Sequence, residues 1–154
     1  MRYRSLLIGE FPFSIYTLMA TALLLAIFSL GFSAGVELAS GTLLTLCMST
    51  IALYAGVKCG GLLIAQVSVF SAIFWRAVFP PLIGYLRWDD SSQYRTIRSA
   101  DIYLGPEGEL MWGIEAGIQY GVLAGVFLGS AAYGIGALYR HLRRDDPSTY
   151  PGII

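Results

Sequence analysis

Few side chains in this 154-residue chain could do chemistry, and those that could sit in unusual surroundings. Glu115 is the one charge in the apolar run Leu110 to Tyr139, and Lys58 and Arg76 are the only charges between Leu38 and Leu86. An ionisable group in an apolar stretch is costly. It persists where it handles protons or ions, or where it pairs with an opposite charge. Gln119 follows Glu115 by one helical turn and shares its face. Arg76 precedes Arg87 by eleven residues and Glu115 follows Glu109 by six, about 16 Å and about 9 Å along helices. A long arginine side chain covers the difference, so an Arg76–Glu115 pair would join two helices. Gln66 is placed to donate a hydrogen bond between helices.

The remaining reactive groups assemble into no known constellation. Cys47 and Cys59 are twelve apart without a CxxC motif, and His141 is the single histidine. A zinc site needs about four closely spaced sulfur or nitrogen ligands, so no metal is expected and the cysteines read as small buried hydrophobes. No phosphate-cradling GxxxxGK[ST] occurs, and Gly134-Ile-Gly136 follows no strand. His141 stands among arginines, away from any serine or cysteine with an acid partner. The expectation is a protein without catalysis or cofactor, carrying at most bound lipid.

A different pattern is more regular. Gly113, Gly117, Gly121, Gly125 and Gly129 recur at every fourth position. Glycine weakens a helix, so five on one face point to a surface where a second backbone comes close. That second helix belongs either to the same bundle or to another subunit. Gly31 and Gly35, with Ser33 and Ala34, offer a matching small-residue surface in the first apolar run.

The elements that must position these groups are helices long enough to cross a bilayer. A hydrocarbon core of about 30 Å takes about 20 helical residues. The chain divides into apolar spans at 15–36, 38–57, 62–86 and 110–139, with one polar loop at 87–109, and reads as a single membrane domain over 1–154. Gly56-Val-Lys-Cys-Gly-Gly61 supplies the tight turn between the second and third spans. Pro80-Pro81 either bends the third helix or ends it near Trp75. Gly105-Pro106-Glu107-Gly108 reads as a turn, and Arg140 to Arg144 as the stop of the fourth span. Only 13% of residues are charged while 56% are hydrophobic, about half the charge supply of a soluble domain. Ten basic against ten acidic residues exclude a basic nucleic-acid-binding surface.

Four spans place both termini on one side, together with Arg2, Arg4, Lys58, Arg140, Arg143 and Arg144. The opposite side keeps Arg87, Arg95 and Arg98, so six cations against three put the termini in the cytoplasm or the mitochondrial matrix. Those six cations would also meet lipid headgroups. Tyr85, Trp88, Tyr103 and Trp112 would mark the far interface.

The expected fold is therefore all-α, with four transmembrane helices in either the mitochondrial inner membrane or a prokaryotic plasma membrane. In its small size, four spans and Gly113–Gly129 stripe the chain resembles, in architecture alone, the Tim17-type family and its respiratory-complex relatives. An energy-transducing assembly is the expected setting. The expected function is a non-catalytic accessory subunit of a larger membrane complex, with other membrane-protein subunits as partners. The alternative is a small homo-oligomeric transporter or channel that uses Glu115 and Arg76.

Overall fold

The computed structural model describes residues 6–10, 12–35, 40–89, 94 and 104–144. Arg2, Arg4 and most of the polar loop lie outside them. Among the described residues the chain is helical throughout, with no strand. Helix α1 spans Phe13–Ser33, α2 Ser40–Val57, α3 Leu62–Arg87, α4 Gly105–Ala124 and α5 Ser130–Arg144. A π turn, Gly125–Gly129, joins α4 to α5 in one continuous rod. Three stretches are long and apolar enough to cross a bilayer: Leu6–Ser33, Leu62–Arg87 and Gly105–Arg143, of 28, 26 and 39 residues. Thr42–Val57 is a shorter apolar helix.

Several boundaries differ from the sequence-based expectation, each for a local reason. Helix α3 runs through Pro80 and Pro81 and does not end at Trp75. The two prolines cannot donate to the carbonyls of Arg76 and Ala77, yet the ring fixes φ in the helical range and the neighbours hold the rest. Gly105-Pro106-Glu107 is a helix start and not a turn: Pro106 and Glu107 lie in the first turn of α4. Proline loses nothing there and an acid favours the positive end of the helix. Buried Glu109 accepts the Leu104 N–H at 3.5 Å, at that same end. The last helix continues through Arg144, because arginine is a good helix former and its charge alone ends nothing.

Gly35 also departs from expectation. It terminates α1 with φ +72, its N–H bonded to the Phe32 carbonyl at 3.0 Å, and a Cβ there would meet nothing within 4 Å. It is a C-cap glycine and, among the described residues, packs on no second helix. Helix α2 ends in a Schellman motif, with the Gly60 N–H on the Ala55 carbonyl at 2.7 Å. Cys59 fills the left-handed position of that motif at φ +59.

Packing places α3 in the middle. It meets α4 on one side and α1 and α2 on the other, while α5 lies against α2. Small residues form the contacts: Ala52, Ala55 and Ala65 are fully buried around Val69 and Tyr133. A second cluster joins Leu44, Met48 and Ala72, flanked by Leu24, Leu25 and Phe28. Large apolar side chains point outward, with Leu30 and Phe127 each 71% exposed. Helix α1 turns its hydroxyls inward instead. Thr21 donates to Ser68 Oγ at 2.9 Å, and Trp75 Nε1 to Ser29 Oγ at 2.8 Å. At the far end of this seam Tyr94 covers Gly84 and meets Phe32 edge-on at 6.0 Å.

The N-terminal segment, the α2–α3 turn and the end of α5 converge at one end of the bundle. Glu10 N–H bonds to the Cys59 carbonyl at 2.8 Å, Ser14 Oγ to the Ile8 carbonyl at 2.6 Å, and Arg140 Nη1 to Cys59 Sγ at 2.6 Å. The chain crosses itself here at Gly9 and Gly61, with φ +83 and +91. A Cβ on Gly61 would collide with the Ile8 carbonyl group, and one on Gly9 with Gly60. Gly61→Ala therefore carries both backbone strain and a clash, whereas Gly105→Ala, at φ +78 with open space around it, carries strain alone. Thermal unfolding in detergent should show a loss of about 1–2 kcal/mol for Gly105→Ala and clearly more for Gly61→Ala. Equal losses would contradict the crossing.

Candidate helix-packing site and polar groups

The glycines of the stripe are all buried, and those whose surroundings are defined face α3 of the same chain. A Cβ on Gly117 would stand 3.1 Å from the Phe74 ring and 3.3 Å from Ala77 Cβ. On Gly121 it would meet the Phe70 ring at 2.9 Å, and on Gly125 the Gln66 carbonyl oxygen at 2.9 Å. On Gly129 it would lie 2.7 Å from Gln66 Cα. Phe70 and Phe74, stacked at 5.5 Å, thus occupy the volume the missing side chains leave. Bulk on α3 faces absence on α4.

A four-residue spacing does not hold one face of an α-helix by itself. Each step exceeds a turn by about 40°, so from Gly113 to Gly125 the stripe drifts about 120°. The π turn over Gly125–Gly129 accommodates an extra residue, and with it the rotation turns back. Gly129 consequently returns to Gln66 and Ala65. Gln66 holds this junction from both sides, its backbone on Gly125 and Gly129 and its Nε2 donating to Ser130 Oγ at 2.8 Å.

Beyond the π turn the contact passes to α2. A Cβ on Gly56 would collide with the Tyr133 carbonyl oxygen, and one on Gly136 with that of Leu53. From sequence Gly56 belongs to the turn, and Gly136 is weighed only as part of a nucleotide-binding motif. The signal lay in Ala52, Ala55 and Gly56, small residues three and four apart opposite Gly136 and Ala137. The hydroxyl seam of Ser14, Thr17 and Thr21, at intervals of three and four, was equally readable and also missed. Gly31 is half-buried, and nothing places it on the stripe.

Arg76 and Glu115 form no ion pair with each other. Glu115 follows Gly113 by two residues, about 200° around the helix, so it faces away from α3. It is exposed, and its Oε1 accepts a hydrogen bond from Gln119 Nε2 at 3.2 Å. Arg76 follows Ala72 by one turn on the side of α3 that meets α1 and α2, and is half-buried. Depth along the bundle agrees with the expected pairing; azimuth forbids it.

Of the basic groups, Lys58 and Arg143 are exposed, and Arg140 reaches Cys59. For Arg144 only the backbone is described. Cys47 is half-buried and His141 exposed. Among the described residues no three His, Cys, Asp or Glu side chains gather as a metal site would require.

Two glycines two residues apart, on opposite faces of α5, make the packing testable. Gly134 has nothing within 4 Å of a Cβ, so Gly134→Ala should raise stability by up to about 1 kcal/mol through helix propensity alone. Gly136→Ala should lower it by about 2 kcal/mol or more, since backbone must move. Detergent unfolding curves that rank the two in the opposite order would overturn the α2–α5 contact. A double-mutant cycle on Gln66→Leu and Ser130→Ala should return a coupling of about 0.6 kcal/mol; zero coupling would remove the junction bond.

No protein-family model, curated protein or solved structure matches this chain.

Proposed function

We propose that this chain is a non-catalytic subunit of a larger membrane assembly, inserted as four spans with both termini on the cytoplasmic or matrix side. Support for the bilayer comes from the inverted distribution of its residues. Leucines and isoleucines face out while alanines, glycines and hydroxyls face in, which suits a lipid solvent and would be unfavourable in water. The crowding of Lys58 and Arg140 at one end of the bundle, beside the N-terminal segment, fits the orientation with that end inside. Helix α2, at 18 residues or about 27 Å, is just long enough to cross with slight local thinning.

The observation that carries the subunit reading is the Glu115–Gln119 pair. It lies on the outer face of α4 among exposed Met111, Ile118 and Val122. A carboxylate turned toward acyl chains is expensive, and a neighbouring protein surface that supplies hydrogen bonds lowers that cost. The glycine stripe is occupied by α3, so the outer face of α4 takes over the docking role. Bound lipid covers the rest, and no cofactor is invoked. An energy-transducing membrane, respiratory included, remains the proposed setting.

Native gels of mild-detergent extracts test this. The chain should resist carbonate washing and migrate with a large complex, and Glu115→Leu/Gln119→Leu should detach it while leaving it in the membrane. A carbonate-soluble chain, or a lone monomer in the mildest detergent, overturns the proposal. Exposed Glu115 also favours a second reading, a small homo-oligomeric transporter or channel. Under it, flux into vesicles falls in Glu115→Gln; unchanged flux removes that reading.

A further inference from the structure

Glu115 and Gln119 are bonded to each other, and among the described residues neither side chain makes a second hydrogen bond. Gln119 Nε2 occupies Glu115 Oε1, so Oε2 and the amide oxygen of Gln119 are left as two acceptors side by side. No described cation of the chain reaches them. Arg76 is half-buried on the side of α3 that meets α1 and α2, and Arg87 donates to the Tyr94 hydroxyl at 3.2 Å. Lys58, Arg140 and Arg143 belong to the other end of the bundle. The apolar neighbours of the pair are ordered as well. Met111, Glu115, Ile118 and Val122 are all exposed and follow one another at intervals of four, three and four. That is the spacing by which one helix interdigitates with another at a shallow crossing of about 20°. Glu115 takes one of the inward positions of this seam, where a polar residue fixes register.

We infer that the outer face of α4 receives a transmembrane helix of a different protein, and that this helix carries an arginine at the depth of Glu115. The inference rests on the membrane-subunit reading above and names the chemistry of its partner. A carboxylate on an apolar surface is relieved by a cation, and charge complementarity selects the residue type. A guanidinium offers five N–H donors in a planar fork, enough to bond Oε2 and the Gln119 oxygen together. An ammonium is a compact, strongly hydrated charge and is costlier to strip of water. A second copy does not fit. Its Arg76 is turned toward its own α1 and α2, and its Arg87 stands eleven residues beyond, about 16 Å along the helix. Seated along Met111, Ile118 and Val122, the incoming helix sets its arginine over Glu115 and shields both charges from acyl chains.

The test titrates the full-length chain, labelled for energy transfer in phosphatidylcholine nanodiscs, with leucine-rich transmembrane peptides. The peptides carry one arginine, one glutamate or no charge, and the arginine is placed at each of three successive turns. An arginine peptide should bind about tenfold more tightly than the all-leucine peptide, and best at one of the three depths. The glutamate peptide should gain nothing. Glu115→Gln should remove most of the arginine gain, Gln119→Leu part of it and Arg76→Gln none. Glu115→Gln is nearly isosteric at an exposed position, and circular dichroism of each variant checks that the helices persist. An arginine peptide no tighter than the leucine one, or a gain that survives Glu115→Gln, would overturn the inference. So would efficient disulfide linkage of two copies through Ile118→Cys in peptide-free nanodiscs, which would put a second copy on this face. Co-migration of the chain with a large complex would survive those outcomes, so failure of this inference and failure of the subunit reading are distinguishable.

Discussion

Close approach of backbones is the constraint on which this molecule depends. Where Gly125 and Gly129 cross α3 and where α5 crosses α2, main-chain atoms come within contact distance because no side chain stands between them, and along α4 the rings of Phe70 and Phe74 fill the space the glycines leave. In an apolar solvent this matters more than in water. Lipid tails are as apolar as leucine, so helices gain little from burying leucine against leucine. They gain from dispersion at short range and from polar bonds that lipid cannot offer. Ser14, Thr21 and Ser68 provide such bonds on one side of α3, and Gln66 with Ser130 on the other. The stripe, the alanine-rich clusters and the hydroxyl seam are three solutions to one problem.

The same constraint explains where function can reside. Once α3 fills the stripe, that surface is closed to other proteins, and what remains for recognition is whatever the bundle leaves unsatisfied. The exposed apolar side chains of the described residues are mostly leucine, isoleucine, valine and tyrosine. Glu115 with Gln119 is the exception on α4. On so uniform a surface, specificity can come only from a few polar atoms.

Much of the fold was legible because it follows from composition and length. Apolar runs separated by Gly56–Gly61 and by the polar loop gave the helices to within a few residues, apart from the ends of the last one. The regular glycines announced a packing face. What sequence did not yield was which helix packs there, since Gly31 and Gly35 look as suitable as Phe70 and Phe74 until helix ends are known. Gly35 caps a helix, and aromatic rings prove better complements to glycine than more glycine. The Arg76–Glu115 pairing failed for a reason already available: two residues past a buried glycine is the opposite side of a helix. The π turn had no sequence signal beyond the drift that four-residue spacing creates.

That turn has a consequence for how the chain tolerates change in length. The final rod serves two neighbours in succession, and its angular phase at α5 depends on how the residues before it are wound. Five residues of π turn sweep about as much angle as four of ordinary helix, so losing a single position between Gly125 and Gly129 would let the segment relax while Gly136 stayed on Leu53. Losing one from the α-wound parts of the rod would instead swing everything downstream by about 100°. Insertions and deletions are usually absorbed by loops, but here one turn of a helix interior can take up the change.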